Sequence, residues 1–202
     1  MSFFKMLFSF APWISFLIIA HGSLFRLKLG LVVALVVSII MGVLKLHRGV
    51  VLWAGLAFFV YSMVAVVLLE DMWTITHMGI LANGTLALST WVTLLMGKPF
   101  TQDYAREHVP QSLWNDPTFL RTNVLMTSVW GACFTIGALL AWHKSVYAAL
   151  PAEVYEGVNY ACMLSACVFT NWYPEHVKHA RQRAEAQAAT APTTAPVEAE
   201  AE

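Results

Sequence analysis

The stretch GKPFTQDYAREHVPQSLWNDPTFLRTN, residues 97–123, is the one long segment ahead of the C-terminal region that mixes charges, aromatics and prolines. Long apolar runs flank it on both sides, the pattern of a chain that leaves a membrane and returns to it. The whole sequence agrees. Of its 202 residues 58% are hydrophobic and 12% charged, with mean hydropathy +0.63, whereas an ordinary soluble domain carries about 25% charged residues. Twelve basic and twelve acidic residues leave no net charge and no basic patch of the kind a nucleic-acid partner requires.

Outward from the stretch, the hydropathy pattern predicts an all-α, polytopic transmembrane helix bundle of about six spans, at roughly 6–25, 29–46, 50–69, 72–96, 117–142 and 152–173. Together they form one transmembrane domain over residues 1–179. Arg26-Leu27-Lys28 is read as a short hairpin between the first two spans. Asp116-Pro117 is a helix start, with an N-cap followed by proline at the first helical position. Pro174 is read as the stop of the last span. Residues 180–202, rich in Ala, Thr, Pro, Glu and Gln, are read as a disordered tail.

Polar residues inside apolar helices are the candidate functional positions, because lipid cannot satisfy them. His77, Asn83, Asn123 and Asn159 are the set that could line a path through helices four to six. His77 lies about 8 Å of rise from the start of its helix, which favours a hydrogen-bonded structural histidine over a proton relay or haem ligand. Asn83 lies deeper, and interhelical bonding is its first reading. Two small-residue stripes, Gly30, Ala34, Ser38 and Gly42, and Gly157, Ala161 and Ser165, allow close helix approach to a partner helix or a second copy of the chain. Cys133, Cys162 and Cys167 sit in apolar runs and are read as packing residues. No metal or cofactor is expected.

Basic residues near helix ends set the orientation. Lys5, Lys45, Arg48, Lys98, Arg106, Arg121, Lys178, Arg181 and Arg183 fall on one side, and Arg26, Lys28 and Lys144 on the other. Both termini and residues 97–123 are therefore expected in the cytoplasm. Within the loop, Thr101 is read as an N-cap and Gln102–Val109 as a short helix with Phe100, Tyr104 and His108 on one stripe. Such a helix suits the headgroup plane, with Trp114 as an anchor. Lys98, Phe100, Tyr104, Arg106, Trp114 and Arg121 form the candidate interaction loop.

The order of FAPWISF, LKLHRGV, GKPF, VPQSLW and LRTNVLMTSVWGACF over about residues 9–142 resembles the bacterial intracellular septation protein A family, also called inner membrane-spanning proteins. The resemblance implies a small polytopic protein of the bacterial inner membrane, linked to cell division and cell-envelope maintenance, with no established enzymatic activity. Lys98-Pro99, Trp114, Asn123 and Trp130 are the positions that match its pattern.

The expectation is a non-enzymatic membrane protein acting through partners in the envelope or division machinery. A small transporter or channel with a polar path through helices four to six is the alternative. A haem or metal-binding membrane redox subunit using the seven histidines is the second alternative, although they lack the pairing on a span that such sites usually show. Lipid chemistry at Asp103, Arg106, Glu107 and His108 is the weakest reading, since a charged loop helix is ordinarily just solvated.

Overall fold

Ser23, rather than the basic triplet that follows it, decides where the second helix begins. In a computed structural model that describes residues 10–44, 49–107 and 109–190, its side chain accepts a bond from the Arg26 amide at 3.2 Å and caps the helix. Gly22, at φ +82°, turns the chain just before it. Arg26 and Lys28 therefore lie in the first turns of a helix, not in a hairpin.

Eight α-helices are described: α1 (Ala11–Ile19), α2 (Leu24–Val43), α3 (Val50–Leu68), α4 (Met72–Thr76), α5 (Met78–Leu95), α6 (Thr101–Ala105), α7 (Pro117–Val146) and α8 (Ala152–Thr190). There is no strand among the described residues. Four of the helices, α2, α3, α5 and α7, are long and apolar enough to cross a membrane. The six-span expectation is thus coarser in the structure, and the differences have physical causes.

The first span shortens to α1, nine residues beginning at the Pro12 turn and about 14 Å long, well short of a hydrocarbon core of about 30 Å. Residues 6–9 of the expected span lie outside the described residues. The last turns of α3, Met63–Leu68, widen into a π-helix before Glu70 reverses the chain at φ +49°. The expected fourth span divides at His77. There the imidazole Nδ1 bonds the Trp73 carbonyl at 2.8 Å and the ring stacks on Trp73 at 4.6 Å, a local bond that competes with regular helix.

The helix start at Asp116-Pro117 is as expected: the carboxylate accepts from the amides of Thr118 and Phe119 at 2.8 and 3.1 Å. The stop at Pro174 is not. The proline lies inside α8, a 39-residue helix about 58 Å long. Beyond it the run RQRAEAQAA is a strong helix former, because alanine loses no side-chain entropy there. Arg181 reaches back to Asp116 at 3.5 Å. The tail read as disordered is helical to Thr190, and residues 191–202 lie outside the described residues.

Neighbouring helices pack in chain order, α1 on α2, α2 on α3, α3 on α5, α5 on α7 and α7 on α8, with α6 tucked against α7. Two groups of aromatic rings form the core. Trp13 stacks on Phe58 and tilts against Phe59, with centroids 5.1 and 4.9 Å away. Phe10 stacks on Trp130 at 5.3 Å, and Trp130 meets Phe134 at 5.5 Å. The Trp130 indole N–H also donates to the Thr170 hydroxyl at 2.9 Å, a fully buried tie between α7 and α8. Large apolar side chains such as Val43 and Leu95 face outward, as lipid-facing surface does.

Candidate binding cavity

The FAPWISF segment puts Phe10, Trp13 and Phe16 on one face at spacings of three, and all three are buried. Because α1 is short and leans on α2 and α3, these rings leave a space between α1, α5, α7 and α8. The space is a cavity of about 420 Å³, lined by apolar side chains including Trp13, Leu86, Phe134 and Met163. That volume falls in the roughly 300–1,000 Å³ range of small-molecule sites. Ile18 and Leu164 line it as well and are 67% and 65% exposed, so the cavity opens sideways between α1 and α8, onto the apolar outer surface of the bundle.

At one end the lining becomes polar. Asn83 donates its amide to the Gly79 carbonyl at 3.0 Å, which turns Oδ1 the other way. A Cβ on Gly137 would lie 2.5 Å from that Oδ1 and 2.5 Å from Oδ1 of Asn159. The two amides thus meet over a glycine, where any side chain would collide with both. Oδ1 of Asn159 is buried and has no hydrogen-bond partner, a state that costs about 1–3 kcal/mol in a protein interior.

A second space of about 190 Å³ adjoins the first and shares Leu17, Asn83, Asn159 and Tyr160 with it. Its walls are more polar. Tyr160 hydroxyl and His21 Nε2 are 2.8 Å apart, as are Tyr155 hydroxyl and His143 Nδ1. Lys144 pairs with Glu156 at 3.4 Å across a half-exposed rim. The volume as a whole is amphiphilic, apolar along most of its length and hydrogen-bonding at one end.

Of the four intramembrane candidates, the structure joins Asn83 and Asn159 and separates the other two. His77 sits at the break between α4 and α5 and is satisfied by Trp73. Asn123 is buried near the opposite end of α7, its Nδ2 donating to the Phe119 carbonyl at 2.8 Å. It lies fourteen residues before Gly137, about 21 Å along the helix. A continuous path through all four is therefore not formed.

The loop residues divide likewise. Phe100 and Tyr104 are 1% and 5% exposed and point into the bundle, Phe100 meeting Phe10 edge to face at 6.2 Å. Thr101, expected as a cap, bonds the Thr127 hydroxyl at 2.9 Å and the Asn123 carbonyl at 3.0 Å. Phe100 and Tyr104 thus face protein instead of headgroups, because α6 packs against α7. Arg106 lies over the Trp114 ring at 5.1 Å and bonds Gln102, and Trp114 donates to the Val109 carbonyl. Lys98 and Arg121 remain exposed. His108, on the expected stripe, lies outside the described residues.

The small-residue stripes also differ in use. On α2, Gly30 approaches Ala20, and Ala34 and Ser38 are buried within the chain. On α8, Gly157, Ala161 and Ser165 are exposed. Sequence reasoning missed Gly137 and the ring face of α1. The i, i+3, i+6 spacing of Phe10, Trp13 and Phe16 was the available signal for the latter. No family model, curated protein or solved structure matches the chain.

Proposed function

We propose that this chain is a multi-pass membrane protein that holds a lipid-soluble amphiphile between α1, α5, α7 and α8, binding or passing it on without catalysing a reaction. The observation that carries this reading is the cavity itself: about 420 Å³, apolar, open to lipid at Ile18 and Leu164, with two amides at one end. A molecule dissolved in the bilayer can enter such a site without crossing water. The loop supports a partner-docking role less well, because Phe100 and Tyr104, two of its three aromatics, are buried inside the bundle. In the same proposal the end carrying Lys98, Arg106, Arg121, Lys178, Arg181 and Arg183 faces the cytoplasm of a bacterial inner membrane, following the bias of basic residues.

Photolabelling of the purified full chain tests the reading. A dodecyl amphiphile with a diazirine near its tail, made with a free hydroxyl and as the methyl ether, is irradiated with the protein in micelles. Saturable labelling of Trp13, Phe134 or Met163 by either probe is expected. Labelling confined to outward residues such as Leu88 and Leu95 would show an ordinary lipid annulus and overturn it.

A further inference from the structure

The geometry points to a guest whose polar end is a neutral hydrogen-bond donor, a hydroxyl, read by the carbonyl oxygens of Asn83 and Asn159. This inference rests on the amphiphile-binding reading above and adds the chemistry of the head.

Asn83 is fixed by the bond from its Nδ2 to the Gly79 carbonyl, so the atom it turns toward Gly137 is an acceptor. Asn159 presents a second acceptor at the same place, buried and unpartnered. Two carbonyl oxygens facing one spot repel each other unless something between them donates. A ketone, ester or ether head offers only acceptors and gives neither oxygen a donor. A carboxylate head would add negative charge to two oxygen dipoles.

An ammonium head would meet the acceptors, but its charge would need a counter-ion in a lining that is otherwise apolar. The nearest carboxylate at the rim, Glu156, is held by Lys144. A hydroxyl donates one bond, which either oxygen can accept, and carries no charge. Discrimination of this kind is steep, because a site with buried polar groups rejects a molecule that leaves them unpaired.

The pair of photoprobes described above separates the two claims. The free alcohol is expected to saturate cavity labelling at about tenfold lower concentration than its methyl ether, the ratio that one buried hydrogen bond supports. Unlabelled dodecanol should compete for the site and 1-methoxydodecane should compete about tenfold less well by the same reasoning. In the double variant Asn83→Leu/Asn159→Leu, which removes both acceptors, both probes should still label the cavity, now with equal strength.

Equal labelling of the intact protein by alcohol and ether overturns the donor inference alone. That is also the outcome if the Asn159 amide is turned to bond Asn83, leaving no acceptor free. Preference for the ether, or a preference for the alcohol that survives in Asn83→Leu/Asn159→Leu, overturns it too. Absence of cavity labelling by both probes overturns the binding reading on which it stands.

Discussion

Gly137→Ala is the substitution that interrogates the cavity most directly. The new methyl carbon would lie 2.5 Å from two amide oxygens, and each would have to withdraw by about 0.9 Å to regain the 3.4 Å at which ordinary contact begins. For Asn83 that movement disturbs an amide whose Nδ2 is held by the Gly79 carbonyl at 3.0 Å. Overpacking of this size costs about 1–3 kcal/mol. The measurement is thermal or SDS-induced unfolding of the full chain in detergent, with Asn159→Ala made alone and together with Gly137→Ala. Removing one oxygen should relieve much of the strain, so the double variant is expected to be more stable than the sum of the singles by about 1 kcal/mol. An unchanged midpoint for Gly137→Ala, or strictly additive losses, would mean that the two amides do not meet over this residue.

Other outcomes follow from the helix contacts. Trp130→Phe and Thr170→Val, combined in a double-mutant cycle, should show a coupling of about 0.6–1.7 kcal/mol, the range of interhelical bonds in membrane proteins; zero coupling would remove the α7–α8 tie. Gly55→Ala would bring a Cβ to 2.9 Å from the Trp13 indole nitrogen, so hydrogen exchange in α1 should quicken, and unchanged exchange over residues 11–19 would refute that seating. Asp71 and Asp116 are held below the ordinary carboxylate range, the first by the Thr74 hydroxyl and amide, the second chiefly by the Phe119 amide. Their folded values lie below the unfolded ones, so the stability they add is complete above about pH 4 and is lost as pH falls through the depressed values. Asp71→Asn with Asp116→Asn keeps the caps but cannot titrate, and should flatten the acid limb of unfolding measured downward from about pH 5.

How much of this was legible in the sequence depends on what each feature rests on. Long apolar helices and the Asp116-Pro117 start are local properties, and the helices α2, α3, α5 and α7 could be read from composition. The length of α1 could not, because the Ser23 cap and the turn at Gly22 set its end. Pro174 misleads because a proline inside a helix is tolerated where the rest of the helix is well supported, here by alanine-rich sequence and by the Arg181 contact. An aromatic stripe in a loop says that a face is buried without saying against what. Phe100 and Tyr104 chose the bundle over the headgroups.

The cavity shows the same division. Asn83 and Asn159 stand out as amides in apolar runs, and Asn123 stands out equally. What brings the first two together is the rotation of α5 and α8 about α7 and the missing side chain of Gly137, neither of which has a signature in a single sequence. The unpartnered Asn159 oxygen becomes visible only once its surroundings are known.

The short first helix has a mechanical consequence. A wall of nine residues is held by its ring contacts and by its two ends, and its outgoing end is unusual. His21, which reaches across to Tyr160, immediately precedes Gly22. Latch and hinge are thus adjacent in the chain. The Arg26 Nε bond to the Ile19 carbonyl at 3.2 Å ties the same end. The rings of α1 that a guest would touch are those that close the bundle when it is empty, so admission and closure compete for the same surface.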